Sequence, residues 1–588
     1  MIHFQLSKEQ QKIIDCTATK IVVKACPGSG KTFTVSARMA KIFQEGLLSR
    51  HQGIASISFT NTACDVIKKQ LNEYHGIKTI PYPSFVGTID SFINTYILLP
   101  YGHLVLDCKE RPEIVGTAYN IWYNFDQTKR GYNQRIIDPD YFMDKVSFNI
   151  NNEPIRLTKA EDFTFSWDKI KKTNGDYIKQ IANIIESKKK WFKEGKVNQA
   201  DANYFAYKIL HKYPLILKNI AARFPYFIID EAQDTTDVQM KIIELLSTKV
   251  KSIMIIGDPD QAIFEWNSAC PELFLDKYTD PLWTPLILNE NRRSSSNICA
   301  VNNNLSKNDM VSISQYKNES DSVTLKSYGR HSAQQIVEEF KIKCKELSIN
   351  AGEYSIVYRG KAFGQEYFNI TDRNNLTDKN PWEKSARYVK DILYGKFLID
   401  NNFKQKGLES ICKGLLKLEL KTDYISNLEL QANLETVKFR ERRKKLIHYI
   451  NKLPKTDMTL LEWIKQAKDS GMKFSINRKQ ANIEIKDLFS LDNNDSDLEL
   501  EYRTIHSVKG MTYKGVLVFI TEKCGNKNYS TVLNSIDNQQ YLRAEELRIL
   551  YVAFTRPQRL LWIAVPDKDL DMWNNVLFDK RPIQGTLF

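Results

Sequence analysis

Apolar runs that stop abruptly at polar or glycine-rich turns recur along this chain. Ile21-Val22-Val23 precedes such a turn and then a helical stretch, and further strand patterns end at Phe59, Asp230 and Asp258, each followed by a turn and a helical pattern. That alternation predicts an α/β layer with a parallel sheet and with binding loops at the carboxyl ends of its strands. Residues 1–92 and 215–280 belong to this first layer. Between them, 93–214 is helical in pattern, rich in Lys, Asn, Tyr and Trp, and lacks a comparable strand series, so it reads as an insertion. A second α/β layer takes in 281–375 and 496–588. It begins near Val323-Thr324-Leu325-Lys326, includes Ser355-Ile356-Val357-Tyr358, and resumes at Val516-Leu517-Val518-Phe519-Ile520 and Leu560-Leu561-Trp562-Ile563-Ala564-Val565. It too is interrupted, by a mainly helical segment at 376–495 that closes on the acidic, linker-like stretch from Asp492 to Asp497.

Length supports this division, because 588 residues exceed what one hydrophobic core can serve. A hydrophobic content of 42% and a charged content of 26% are those of a globular protein. No apolar stretch is long enough to cross a bilayer and Met1-Ile2-His3-Phe4 does not begin a secretory leader, so a cytoplasmic location away from membranes is expected. Nine cysteines are scattered singly without metal-ligand spacing, and reduced, mostly buried thiols are the expectation. Lys and Arg number 84 against 70 Asp and Glu, a net charge of +14 that suits a polyanionic partner. Basic runs at Lys188-Lys189-Lys190-Trp191 and from Arg440 to Lys445 lie inside helical patterns. Each reads equally well as a solvated helix face or as a phosphate contact.

The segment Ala25-Cys26-Pro27-Gly28-Ser29-Gly30-Lys31-Thr32 carries the clearest chemistry. A Gly-rich turn between a strand and a helix can wrap phosphate oxygens, aim backbone N–H groups and a helix N-terminus at them, and add the Lys31 ammonium. Thr32 offers a hydroxyl to Mg²⁺. About 200 residues later Phe227-Ile228-Ile229 ends in two carboxylates, of which Asp230 can hold the Mg²⁺ shell and Glu231 can orient or deprotonate an attacking water. Taken together the two segments imply hydrolysis of a nucleoside triphosphate, with ATP and Mg²⁺ as cofactors.

From Leu6 to Trp562 an ordered series of segments resembles the superfamily 1A helicases of the UvrD/Rep/PcrA type. Leu6-Ser7-Lys8-Glu9-Gln10 resembles the Q motif, Phe59-Thr60-Asn61-Thr62-Ala63 motif Ia, and Gly87-Thr88-Ile89-Asp90-Ser91-Phe92 motif Ib. Asp230-Glu231-Ala232-Gln233-Asp234 resembles motif II, the stretch from Gly257 to Trp266 motif III, and Asn291-Arg292-Arg293-Ser294 motif IV. Thr504-Ile505-His506-Ser507-Val508-Lys509-Gly510 resembles motif V, and Glu546 through Arg556 motif VI. The resemblance implies two RecA-like parallel-sheet domains, 1A and 2A, each interrupted by a mainly helical insertion, 1B and a reduced 2B. It further implies an ATP- and Mg²⁺-dependent DNA helicase or translocase moving 3′ to 5′ on single-stranded or tailed duplex DNA, in repair or anti-phage defence. Gln10 would read the adenine edge, Gln261 would sense the terminal phosphate, and Arg293 and Arg556 would bring charge to it from the second domain. Phe59, Phe264 and Trp266 would serve as flat surfaces for bases, with Thr60, Asn61, Thr88, Thr504 and His506 near the strand.

Several positions depart from the family pattern. An arginine two residues after the phosphate-loop lysine and a tyrosine before the motif IV arginine usually enclose adenine; here Phe33 and Arg292 occupy those places, so the clamp is expected with its partners exchanged. Motif V carries Met511-Thr512-Tyr513, without the usual carboxylate. Motif Ib carries Asp90 in place of histidine, and a carboxylate repelled by phosphates is expected to turn toward a backbone N–H or a base. The compact plan resembles the UvrD-like subunit of Gabija-type anti-phage systems, which implies a separate OLD/TOPRIM-like nuclease partner. Two other readings stand beside the motor: a nucleotide-gated DNA-binding adaptor that switches a partner, and a plain metabolite kinase, which the strand-contact motifs disfavour.

Overall fold

The computed structural model describes residues 6–114, 146–148, 151, 154–156, 188–263, 270–306, 311–316, 323–329, 332–368, 387–401, 404–420, 446–469, 482–489, 501–524, 527–534 and 545–578. Its frame is two parallel sheets. The first uses β1 (Lys20–Ala25), β2 (Ile54–Ser58), β3 (Phe85–Thr88), β4 (Tyr226–Ile229), β5 (Ser252–Gly257) and β6 (Thr284–Leu288), in the spatial order β6-β1-β5-β4-β2-β3. Every pair in it is parallel, so all carboxyl ends lie on one edge.

The apolar runs form these strands because both faces are covered. Val22, Phe227, Ile229, Ile253 and Ile255 pack into one core, while their neighbours Ile21, Val23, Ile228, Met254 and Ile256 pack into another on the opposite face. A strand buried on both faces loses the alternation of a half-exposed strand and reads as a continuous apolar run.

One boundary differs from the expectation. The sequence pattern puts residues from 281 onward in the second layer, but β6 pairs with β1 through Thr284 to Leu288 and belongs to the first sheet. The reason is local: β6 is an edge strand whose Leu286 and Leu288 enter the first sheet's core while Pro285 and Ile287 stay exposed.

Next come β7 (Glu290–Ser295) and β8 (Ile313–Tyr316), a separate parallel pair. The second large sheet follows with β9 (Val323–Tyr328), β10 (Tyr354–Tyr358), β11 (Tyr502–Thr504), β12 (Tyr513–Phe519) and β13 (Pro557–Pro566), in the order β9-β13-β12-β10-β11, again all parallel. It is likewise enclosed by two cores, one holding Val516, Val518 and Ile563 and the other Leu517, Phe519 and Trp562.

Both sheets are interrupted along the chain. The first insertion contains two short ladders, Glu113–Ile114 with Lys196–Val197 and Val146–Phe148 with Pro154–Arg156. Strands of two or three residues carry no readable periodicity, which is why the sequence shows only helix there. The helix Gln199–Lys212, inside the same insertion, places Ala206, Ile209 and Leu210 in the core of the first sheet. The second interruption is helical where described, with Arg387–Asp400, Lys404–Leu420 and Leu460–Asp469 round a core centred on Trp463. The stretch from Asp492 to Asp497 and the basic run from Arg440 to Lys445 lie outside the described residues.

The other basic run corrects the reading of its first lysine. Lys189 and Lys190 are exposed, but the Lys188 side chain is fully buried and its Nζ contacts Asp201 at 2.8 and 2.7 Å. Asp201 also accepts from the Ser147 hydroxyl at 3.1 Å. The Phe192 ring lies 6.0 Å from Nζ and both charged groups are shut off from solvent, so this ammonium is neither solvated nor free for phosphate. Lys188→Ala strands the Asp201 carboxylate, and breaking such a pair costs about 3–5 kcal/mol. The variant is expected to unfold this region at clearly lower urea, read by protection of its amides from exchange; an unchanged midpoint would show that the pair contributes nothing.

The eight cysteines whose side chains are described are free thiols, and five of them are buried. No described helix is long and apolar enough to cross a membrane.

Candidate functional site

The phosphate loop follows β1 and opens α2 (Lys31–Gln44), with Gly30 in the left-handed region as N-cap. Gly28 is also left-handed, at φ 73°, and a Cβ there would meet Asn291 Oδ1 at 2.5 Å and Arg293 Cβ at 2.6 Å. β7 therefore crosses directly over the loop, and the Arg292 N–H donates to Gly28 O at 2.9 Å. Only glycine permits both the turn and this approach.

A short helix braces the loop from the other side. Ser7 caps α1 (Lys8–Asp15) in a reciprocal capping box with Gln10, and Gln10 Nε2 donates to Ser29 O at 3.2 Å. Buried Arg38, from α2, donates to the carbonyls of Ile13, Ile14 and Cys16 and ties off the end of α1. Gln10 thus holds the loop itself. Its engaged amide keeps one N–H and one lone pair with which an adenine edge could be met. Cys26 is buried with its thiol against Asn289 O, and burial pushes it up to about 12.

Lys31 and Thr32 face the ends of β4 and β5. Thr32 Oγ1 donates to Asp230 Oδ2 at 3.2 Å. Burial works against the Lys31 ammonium, but the carboxylates of Glu231, Asp258 and Asp230 outweigh it and hold its pKa above the usual lysine value. Burial and then the neighbouring Glu231 push Asp230 up. Glu231 would also rise on burial alone, yet Lys31, Lys509 and the Gln233 amide overcome this and hold it down, in its charged form. Glu231 sits at φ 56°, a strained conformation for a side chain of this kind, fixed by its N–H to Asp230 Oδ1 at 2.9 Å and by Gln233 Nε2 to Glu231 Oε2 at 2.7 Å.

A divalent cation fits this set. One hydroxyl oxygen and one carboxylate oxygen converge, and a cation would relieve the repulsion that raises Asp230. Among the described residues no three His, Cys, Asp or Glu side chains form a metal cluster, so the remaining oxygens would come from phosphate and water, the usual arrangement for Mg²⁺.

The second lobe reaches the same place. Arg556, 2% exposed, follows the helix Glu545–Phe554 and donates from Nη2 to Gln261 Oε1 at 2.7 Å; Gln261 in turn donates to Asp258. Burial and then Arg293 press the Arg556 guanidinium downward in pKa, a strain that an incoming polyanion would relieve. Arg293 extends from β7 to the Thr555 carbonyl at 3.1 Å. Both arginines are therefore at the cradle, as the motif series implies.

Sequence reasoning gave no role to three further cations. Lys509 Nζ spans the lobes to Asp234 Oδ2 at 2.7 Å and to Gln261 O at 2.9 Å. Arg548 Nε donates to Ala262 O at 2.7 Å, and Arg359 grips Glu546 with two bonds of 2.8 and 2.7 Å. Lys509, Arg548 and Glu546 lie within the quoted motifs V and VI, so the signal was present without a partner to give it meaning. Arg359 had only its position directly after a strand.

The two residues of the exchanged adenine clamp are each engaged by local partners. The Phe33 ring packs against Tyr74 and His75 at 5.7 and 5.9 Å, and Arg292 lies 3.9 Å from Glu290. If the pair nonetheless closes on a purine, Arg292→Ala weakens ATP binding by about tenfold, the size of a desolvated cation–π contact; an unchanged affinity in a fluorescent-nucleotide titration would reject the clamp.

The strand-contact candidates occupy the same carboxyl edges. Phe59 is partly buried against the first core, so its platform face is limited, whereas Thr60 and Asn61 are exposed at the start of helix Asn61–His75. Thr88 caps the helix Ile89–Ile93, accepting from the Ser91 N–H. Thr504 ends edge strand β11 and His506 follows it, with burial and then Arg359 pressing the imidazole toward its neutral form. Phe264 and Trp266 lie outside the described residues. Asp90 turns neither to a backbone N–H nor to an open edge: its Oδ1 accepts from the side-chain amides of Asn203 at 3.4 Å and Gln239 at 3.2 Å, which offset only part of the burial that raises its pKa.

Two parallel sheets that share one glycine-lined cradle, with arginines delivered across the cleft, define a two-lobed P-loop nucleotide-binding protein. The chain belongs to the UvrD/REP helicase family: residues 6–281 match the UvrD/REP helicase N-terminal domain and 371–568 the UvrD-like helicase C-terminal domain. It is similar to the ATP-dependent DNA helicase PcrA of Bacillus subtilis (strain 168), 25% identical over 310 residues, which are 52% of this chain and 39% of that protein. DNA helicase II of Haemophilus influenzae is 26% identical over 316 residues, 52% of this chain and 40% of that protein. The matched stretch thus spans about two fifths of these relatives. A putative ATP-dependent DNA helicase of Bacillus subtilis, YjcD, is 22% identical over 627 residues that take in 95% of this chain and 79% of its own length.

Proposed function

We propose that this chain is a DNA-stimulated ATPase that converts hydrolysis into movement along a single strand, 3′ to 5′, and so unwinds tailed duplexes. The observation that carries the reading is the bond from Arg556 in one lobe to Gln261 in the other, whose amide in turn donates to Asp258, one of the carboxylates that keep Lys31 charged. A site completed from two sheets changes when they move apart, which is what coupling of hydrolysis to a step requires.

In this reading the phosphate loop and Lys31 hold the triphosphate, with Thr32 and Asp230 taking Mg²⁺, which screens the phosphate charge. Glu231, kept ionised by its cationic surroundings, orients and accepts a proton from the attacking water. Gln261 reports the terminal phosphate, and Arg293 and Arg556 stabilise the charge that develops on it. Thr60, Asn61, Thr88, Thr504 and His506 line the strand's path along the two carboxyl edges, with Phe264 and Trp266 stacking bases.

ATP turnover measured with and without single-stranded DNA, beside unwinding of 3′- and 5′-tailed duplexes, tests this. Turnover stimulated by DNA with unwinding from the 3′ tail supports the motor. Stimulation without unwinding from either tail favours the nucleotide-gated adaptor, and turnover indifferent to DNA rejects both. A role beside a separate nuclease in anti-phage defence rests on resemblance alone; co-purification from the native host supports it, and recovery of the chain alone at low salt counts against it.

A further inference from the structure

Asp90 stands where three elements meet. It lies in the helix Ile89–Ile93 two residues after Thr88, is itself partly exposed, and receives amide donors from buried Asn203 and buried Gln239. Asn203 belongs to the helix Gln199–Lys212 of the first insertion, and a second link runs parallel to it, because Asn94 and Gln199 exchange amide bonds at 2.9 and 3.4 Å. Gln239 belongs to the helix Asp237–Ser247. Its Oε1 accepts the N–H of the N-cap residue Thr236 at 3.1 Å.

From Thr236 the connection to the hydrolytic centre is short. The turn Ala232–Asp234 immediately precedes it, closed by Thr235 Oγ1 to Ala232 O at 2.8 Å. That turn carries Gln233, the donor to Glu231, and Asp234, the acceptor of Lys509 from the second lobe. A carboxylate in place of histidine at position 90 can accept from both amides at once, which neither a neutral ring nitrogen nor an apolar side chain can do.

We propose that Asp90 is a positioning residue that couples occupancy of the Thr88 loop to the orientation of Glu231. A strand drawn against Thr88 shifts the helix it caps; Asp90 passes the shift to Gln239, and Gln239 to the cap and turn that fix the water-orienting carboxylate. The inference rests on the proposed DNA-stimulated hydrolysis and names the residue through which stimulation runs.

The test is steady-state ATP turnover of the full chain, without DNA and with saturating oligo(dT). Asp90→Leu is expected to leave basal turnover and the KM for ATP within about twofold while DNA stimulation falls about tenfold, a coupling of ordinary size. Asp90→Asn, whose amide oxygen accepts the same two bonds, restores most of the stimulation. If Asp90→Leu does not fold, Gln239→Met breaks the same link from the other side and is expected to show the same split. Basal and stimulated rates falling together with Tm, or a stimulation ratio unchanged in a folded Asp90→Leu or Gln239→Met, overturns the inference. A natural chain that shows no stimulation at all overturns the proposed function instead.

Discussion

Lys31→Ala is expected to reduce ATP turnover by about 10²–10³-fold while single-stranded DNA binding stays within a few fold of the natural chain. The lysine is 8% exposed and is surrounded by Glu231, Asp258 and Asp230, which keep it charged. Removing a preorganised cation from a water-poor site facing a transferring phosphoryl group costs about 3–4 kcal/mol of transition-state stabilisation. The described residues proposed to contact the strand lie at the ends of β2, β3 and β11, away from the loop after β1, so affinity for the strand is not expected to pass through this ammonium. Single-turnover hydrolysis and fluorescence anisotropy with a labelled oligonucleotide separate the two effects. Turnover within tenfold of the natural rate would mean that the cradle is not the hydrolytic site.

Most of this site was legible because its chemistry is local. The phosphate loop and the Asp230-Glu231 pair are each a strand end followed by a turn, and a strand with both faces buried announces itself as an apolar run. Gly28 shows the limit of that legibility. Its presence is readable as a turn residue, but its tight contact with Asn291 and Arg293 arises from a strand 260 residues away and could only come from the fold. β6 was assigned to the wrong sheet for a related reason: as an edge strand it exposes Pro285 and Ile287, and nothing in Thr284–Leu288 says which sheet it extends.

Charged residues were the least legible. Lys188 reads as one of three similar lysines until Asp201 is found beside it, and Lys509, Arg548 and Arg359 acquire meaning only from acceptors on other elements. Sequence gives a side chain's charge but not the dielectric around it or the partner it meets. Asp90 is the instructive case. Its departure from the family pattern was visible and its aversion to phosphate was derivable, yet its two amide partners come from distant segments.

Arg556→Ala is the sharper test of the two-lobed reading, because it should damage hydrolysis without emptying the site. Arg556 Nη2 meets Gln261 Oε1 at 2.7 Å, whereas the loop that would hold ATP is built from residues 25–32 of the other lobe. Losing an interaction made only as charge develops on the terminal phosphate lowers kcat and leaves ground-state binding almost unchanged. The expected loss in kcat is about 10²–10³-fold, the range for removing one preorganised donor to developing charge. Arg556→Lys should recover little, since a point ammonium cannot keep the bonds to Gln261, to the Val552 carbonyl and to the Thr555 hydroxyl that fix the guanidinium plane. Measured together, kcat and the Kd of a non-hydrolysable analogue distinguish this from a passive role. If both worsen equally, the arginine only stabilises the closed form; if neither changes, the cleft does not complete the site, and hydrolysis has no physical means of driving the lobes apart.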